Sequence, residues 1–254
     1  MPWTLSHAAA VLPLRRWCGG SLSFAGLVVG SFAPDAGYYV LCFEVSTFAH
    51  TPAGSVLACV PIGLALVFAL HALRRPWCFL LPQPHRGAIE AYLDVPMAPL
   101  LVLVPSVVIG AWTHIAWDAC THGTGWVVEA LPSLKTPLPG TSIGFYHVLQ
   151  ELSTIVGAAI LVVAYRRWLR NTPRIRAAGD GDEHEGQRWR LLVAAGCVII
   201  AAAIASILAA DYASAFSGAV ALRTFLFRGA LHGTLVLAIL YSLVAVGVHA
   251  WRRR

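Results

Sequence analysis

Charge is what this sequence has least of. Only 12% of its 254 residues are charged, against 58% hydrophobic, whereas a soluble domain carries about 25% charge. That shortage leaves no room for a separate soluble domain, and hydrophobic runs of roughly 18 residues or more recur along the chain. No C-x-x-C pair occurs among Cys18, Cys42, Cys59, Cys78, Cys120 and Cys197, which argues against a structural thiolate zinc site. Most of these cysteines lie in apolar context, where the residue behaves as a small hydrophobe. Cys42 and Cys120 fall on the same predicted side of the membrane, so a disulfide between them is possible. There is no internal repeat and no basic stripe. The net charge of +6 comes from arginines at the ends of apolar runs, a membrane-topology signal and not a nucleic-acid footprint. The N-terminus also lacks signal-peptide order, because Arg15-Arg16 follow the first apolar stretch, so it is expected to belong to the mature fold.

What is present predicts an all-α, polytopic membrane bundle. Five segments read as full transmembrane helices: Ser55–Leu73, Met97–Trp117, Leu149–Trp168, Leu191–Ala210 and Gly229–Trp251. Two shorter apolar stretches precede them, Thr4–Trp17 and Ser21–Phe32, joined at Cys18-Gly19-Gly20. Each would extend roughly 18–20 Å as helix, short of a ~30 Å hydrocarbon core. A helical hairpin that ends inside the membrane or thins it is therefore expected. One membrane domain should cover 1–254: hairpin and outer loop over 1–53, core helices over 54–169, a linker over 170–190 and two C-terminal helices over 191–254.

One topology puts Arg15-Arg16, Arg74-Arg75 with Arg86, the cluster from Arg166 to Arg190 and the tail Arg252–Arg254 all in the cytoplasm. It has the N-terminus out, seven segments, and the C-terminus in. The opposite side keeps Lys135, Arg223 and Arg228. Ala177–Gln187 (AAGDGDEHEGQ) is then a flexible acidic cytoplasmic linker, with His184 solvated inside it.

This topology gathers eight ionisable groups on the non-cytoplasmic side: His7, Asp35, His50, His114, Asp118, His122, His147 and Glu151. His114 with Asp118, and His147 with Glu151, stand one helical turn apart, as two metal ligands on one helix face must. Ionisable groups at a bilayer cost several kcal/mol unless paired or metal-bound. Imidazole with carboxylate suits zinc, and also manganese or iron, and eight ligands allow one to three ions. The alternative for His114 and Asp118 is a buried His–Asp hydrogen bond, and for His147 and Glu151 simple exposure to the aqueous loop. His71, His85 and His249, near cytoplasmic arginines, read as ordinary interface histidines, and His232 is open. Arg223 and Arg228 either pair with Asp211 or bind a substrate phosphate oxygen.

The segments MPWTLSHAAAVLPL, GSFAPD, FAHTPAGS and THIAWDACTHGTGW resemble an uncharacterised bacterial membrane family. Its members begin with a Thr-Leu-Ser-His-Pro-Ala-Ala-like stretch and carry Ser-Pro-Asp and Thr-His-x-x-Trp-Asp-x-x-Thr-His motifs. The likeness covers roughly the first 160 residues. The pattern is also similar to inner-membrane metal-dependent hydrolases, with a His near the N-terminus, a Pro-Asp and a His-x-x-x-Asp. More distantly, the ligand order resembles the zinc-dependent phospholipase C and single-strand nuclease superfamily, helical enzymes with three zinc ions that cleave phosphodiesters. That resemblance implies His7 and Asp118 on one ion, with Asp118 bridging to a second held by His50 and His114 beside Asp35. It implies His122, His147 and Glu151 on a third. Two features differ: Trp3 follows Met1-Pro2 where the soluble enzymes use a mature N-terminal Trp as ligand, and the Asp118-to-His122 gap is shorter.

The expectation is a metal-dependent hydrolase of the bacterial inner membrane, its site facing outward and its C-terminus cytoplasmic. Asp35 and Asp118 are its catalytic carboxylates. Its partners would be membrane lipid and an amphipathic or lipid-linked ester or phosphoester. A proton-coupled transporter and a protein whose metal only staples helices are the rivals.

Overall fold

The computed structural model describes residues 3–141, 143–172 and 183–252, the last without the side chains of 183–185. Among the described residues every regular element is helical. Five helical runs are long and apolar enough to cross a membrane: Pro52–Leu80, Leu100–Ala130, Phe145–Asn171, Gly186–Ala213 and Gly218–Trp251. Each contains one of the five expected spans, apart from the first few residues of Met97–Trp117. Large apolar side chains such as Leu192, Ile199, Ile207 and Leu243 are exposed along them, which water would penalise and lipid does not. The chain is a multi-pass membrane protein.

By its internal contacts the chain divides into two compact units. Unit 1 comprises Met1–Ala69 and Met97–Arg167. It opens with a 3-10 turn, Thr4–His7, then α1 (Ala8–Val11) and a second 3-10 stretch, Leu12–Trp17. Pro13 lies in the first turn of that stretch, where its missing N–H is tolerated. The chain reverses at Cys18–Gly20, with Gly19 at φ +104, and re-enters as α2 (Phe24–Gly30), capped by the Ser23 hydroxyl. The expected hairpin is present, in shorter helices than its apolar stretches.

After α2 come a 3-10 turn, Ala33–Asp35, and three short helices: α3 (Ala36–Tyr39), α4 (Phe43–Ala49) and α5 (Pro52–Leu57), the last capped by Thr51. α3 ends with the Cys42 N–H on the Gly37 carbonyl and the Leu41 N–H on the Tyr38 carbonyl, which is a Schellman ending. Its left-handed residue is Leu41, at φ +59, where an L side chain costs about 1–2 kcal/mol. α6 (Cys59–Leu80) continues the span begun by α5.

The tightest packing in unit 1 joins α2 to a later helix, here numbered α8 (Leu100–Thr121). A Cβ on Gly30 would lie 2.2 Å from the Val107 carbonyl oxygen, and one on Gly110 2.3 Å from that of Leu27. Gly26 and Gly30, four apart, thus let two membrane helices meet backbone to backbone. The Ser23 N–H donates to Ser106 Oγ across the same seam at 2.8 Å. The 3-10 turn at the N-terminus is fixed against α10 (Phe145–Asn171), where Ser6 Oγ donates to the Thr154 carbonyl at 3.0 Å and Gly157 leaves space for Ser6.

Unit 2 comprises Leu70–Pro96 and Trp168–Arg254. It holds α7 (His85–Glu90) and two long helices, α11 (Glu183–Ala213) and α12 (Gly218–Trp251). α11 buries Ala201, Ala205, Ala209 and Ala213, a small-residue stripe at fourfold spacing that admits a close neighbour. Gly229 and Gly233 of α12 lie against Ala209 and Ala205. Arg190 donates through Nε to the Phe79 carbonyl at 3.1 Å, and the guanidinium groups of Arg86, Arg190 and Arg252 sit over the Phe79 ring.

Three expectations change. α12 begins eleven residues before Gly229, because nothing between Gly218 and Gly229 breaks a helix, so Arg223 and Arg228 lie within it. The last five residues of the expected acidic linker, 183–187, are the first turn of α11, where Gln187 exchanges hydrogen bonds with the Gln83 backbone. The part of that linker before Glu183 lies outside the described residues, as does the His184 side chain. Cys42 and Cys120 are both free thiols, exposed and unbridged.

Candidate metal centre

Unit 1 brings five of the eight expected residues together and sets His122 beside them. The backbone explains how. Asp35 ends the 3-10 turn that follows α2, and α2 is locked to α8 through Gly30 and Gly110, which carries Asp35 to His114 and Asp118. His50 is the C-cap of α4. His7 ends the N-terminal 3-10 turn, and its ring stacks on that of His114 with centroids 3.9 Å apart.

Hydrogen bonds to backbone carbonyls determine which ring nitrogens are free. His114 Nδ1 donates to the Ser31 carbonyl at 2.8 Å, and His50 Nδ1 donates to that of Ser46 at 2.7 Å. A carbonyl only accepts, so each Nδ1 bears a proton, and in the neutral ring each Nε2 then presents a lone pair. Those two lone pairs face two carboxylate oxygens. His50 Nε2 lies 3.7 Å from Asp35 Oδ1 and 3.4 Å from Asp118 Oδ2. His114 Nε2 lies 3.5 and 3.3 Å from the same two atoms. All four ligand atoms fall within 4.8 Å of one another.

Acceptors facing acceptors in a buried site repel unless a cation lies between them. Bonds of about 2.0–2.1 Å around a tetrahedral zinc ion place ligands roughly 3.3–3.4 Å apart, which the observed 3.3–3.7 Å range approaches. A direct hydrogen-bond network would draw the pairs to about 2.7–3.0 Å. Among the atoms without a hydrogen-bond partner are Asp35 Oδ1 and His114 Nε2. This buried Asp–His–His–Asp group can hold a metal ion. The opening is on the His50 side: its side chain is 23% exposed, against 0% for His114 and 1% for Asp35.

The second carboxylate oxygen of each Asp is also placed. Asp35 Oδ2 accepts from Thr4 Oγ1 at 2.7 Å. Asp118 Oδ1 lies 3.5 Å from His7 Nε2 and 3.4 Å from His122 Nδ1. Burial, reinforced by the neighbouring His114, pushes His7 down to about 3, so its ring is neutral near pH 7.

Gln150, almost fully buried on α10, sits between His122 Nε2 at 3.1 Å and His147 Nδ1 at 3.3 Å. Glu151, the next residue, is exposed. Thr4, Ser31, Ser46 and Gln150 orient the histidines and carboxylates and were not foreseen. Ser31 and Ser46 act through their carbonyls, which any residue offers, so no sequence signal marks them.

In unit 2, His71 hydrogen-bonds Arg74 Nη1 at 2.7 Å, and His249 packs against Phe79. In α12, Arg228 lies over the Tyr212 ring at 4.2 Å and His232 stacks on the same tyrosine.

The fold and this cluster define a class: a multi-pass helical membrane protein with a buried histidine–carboxylate group. The chain belongs to the DUF4184 family, a domain of unknown function, which it matches over residues 1–248. The match extends through the last two helices, well past the stretch over which the motifs are recognisable by eye. No curated protein and no solved structure matches the chain.

Proposed function

We propose that the protein is a membrane-embedded, metal-dependent hydrolase acting on an ester or phosphoester of a lipid-like substrate. The observation that carries this reading is the convergence of two imidazole nitrogens, each in a ring whose Nδ1 is held by a backbone carbonyl, and two carboxylate oxygens in a buried group partly exposed at His50. A divalent ion held there, zinc fitting the donor set best and manganese or iron fitting it too, would supply a Lewis acid and lower the pKa of a bound water to about 7. Within the chain, Thr4 holds Asp35 as a ligand. Asp118 would likewise be a ligand through Oδ2, while its Oδ1 faces His7 Nε2 and His122 Nδ1, which hold the carboxylate in place. Asp118 stands three residues before the end of α8, a position that suits an amphipathic substrate.

The arginine distribution supports an outward-facing site in a bacterial inner membrane with the C-terminus inside. A metal that merely stapled helices would be closed on all sides, whereas His50 leaves a route in. Metal content by mass spectrometry on detergent-purified protein tests the first step, comparing wild type with His114→Ala and Asp118→Ala. One or more zinc or manganese ions per chain in wild type, lost in both variants, is expected. A metal-free wild type under non-chelating conditions would sink the reading. Lipid phosphoesters and carboxylic esters, assayed with and without chelator, then test hydrolysis.

A further inference from the structure

Between two residues of the metal group, Asp35 and His50, the chain projects an uncharged tip. Residues 36–43 read AGYYVLCF. Val40 is 67% exposed, Leu41 47% and Phe43 44%, with Cys42 exposed between them. In water this tip would be a liability. It is nevertheless rigidly built: the Cys42 N–H closes on the Gly37 carbonyl at 2.8 Å, and a Cβ on Gly37 would meet the Cys42 carbonyl oxygen at 2.5 Å and Ser46 Oγ at 2.7 Å. Leu41 occupies the left-handed position that glycine or asparagine ordinarily takes. An apolar residue kept at an unfavourable backbone angle, with its side chain outward, implies something apolar outside.

The structure itself supplies that medium. Phe43, the last residue of the tip, stands nine residues before the span Pro52–Leu80, whose Val56 and Leu57 are themselves exposed. Between them Phe48 is also exposed, at 43%, so large apolar side chains face outward on the tip, on α4 and on the start of the span. His114 and Asp118, which Asp35 and His50 touch, lie inside the span Leu100–Ala130. Tyr38, whose ring lies 5.7 Å from Phe43 and 6.5 Å from His50, is of the type that settles at the headgroup level.

We infer that Val40–Phe43 is a membrane wedge, inserted at the headgroup–acyl boundary beside the opening at His50. The four-residue metal group then draws its substrate sideways from the bilayer interface. That second statement rests on the hydrolase reading; the insertion does not.

Cys42 offers a direct probe. Cys59, Cys78 and Cys197 are buried, so replacing Cys18 and Cys120 by serine leaves Cys42 as the accessible thiol. It is labelled with an environment-sensitive nitrobenzoxadiazole, and the full chain is reconstituted in phosphatidylcholine vesicles containing some phosphatidylglycerol. The expected result is blue-shifted emission, strong quenching by lipid carrying a doxyl group near the headgroup, and loss of quenching by aqueous iodide.

Emission typical of water with full iodide quenching overturns the wedge. So does a blue shift that doxyl lipid fails to quench, since another protein surface would then cover the tip. The double variant Val40→Asp/Leu41→Asn removes the apolar tip while placing asparagine where the backbone favours it, so unfolding is not the expected cause of its effect. It should restore iodide quenching, and unchanged lipid quenching would show that the label inserted by itself and overturn the proposal. Repeating the measurement on chelated protein separates the two readings. Insertion that survives metal removal stands even if no hydrolysis is ever found.

Discussion

Replacing Gly110 by alanine should unseat the metal group without altering any of its ligands. A Cβ at this position of α8 would lie 2.3 Å from the Leu27 carbonyl oxygen and 2.9 Å from the Ser31 backbone nitrogen, both on the facing chain. Ordinary contact begins near 3.4 Å, so α2 and Ser31 must retreat by about 1 Å. Neither obstacle is a flexible side chain that can turn aside. Ser31 is the residue whose carbonyl fixes His114 Nδ1 at 2.8 Å, and Asp35 follows it by four residues. Metal–ligand distances tolerate about 0.2 Å, so a displacement of this size spoils the set. Losing a hydrogen bond that orients a ligand costs about 10–100-fold in metal affinity, and zinc affinity should fall by about 100-fold. Overpacking should also cost about 1–3 kcal/mol of stability. Competition titration against a chromogenic zinc chelator reads the first effect, and thermal unfolding of the metal-free protein in detergent reads the second. A Gly110→Ala protein that binds zinc as wild type does would refute the reasoning, because it would mean that the α2–α8 seam does not position the site.

Two further outcomes follow from the same geometry. Thr4→Val keeps the shape but removes the 2.7 Å donor to Asp35 Oδ2, and should weaken metal binding about 10-fold or more in the same titration; an unchanged affinity would show that Asp35 needs no anchoring. Metal binding requires neutral imidazoles and ionised carboxylates, so protons compete with the ion. The thermal shift produced by added zinc should therefore shrink as pH falls from 7 toward 5, and a shift that grows over that range would contradict a His–Asp ligand set.

The architecture was legible because bilayer physics leaves few options. Apolar length and the placement of arginines mark spans without any knowledge of packing, and all five appear. Their ends were harder. Arg223 and Arg228 look like a helix boundary by composition, yet α12 runs through both, since an arginine near a helix end is tolerated where its long stem reaches the interface. The first residues of α11 repeat the lesson: Glu183–Gln187 are polar enough to pass for linker, but they hold no proline, their one glycine, Gly186, costs only about 1 kcal/mol, and Gln187 finds partners on the Gln83 backbone. Composition reports where a segment is soluble more faithfully than where it stops being helical.

The site divides along a similar line. His114 and Asp118 were visible as a pair because helical spacing alone puts them on one face. His7, Asp35 and His50 were visible only as polar residues sharing one side of the membrane. What carries Asp35 to His114 is a backbone seam of Gly26, Gly30 and Gly110, what sets His7 is the Ser6 bond to Thr154, and glycines in an apolar run advertise nothing about the carboxylate a few residues downstream. The fixed tautomers were invisible for a different reason: they depend on the carbonyls of Ser31 and Ser46, and a carbonyl has no residue type. Those two bonds also bear most directly on the function. With Nδ1–H committed to the backbone, the neutral rings of His50 and His114 turn Nε2 lone pairs toward Asp35 Oδ1 and Asp118 Oδ2. The four atoms are left facing one another as acceptors, and a cation is what relieves that arrangement.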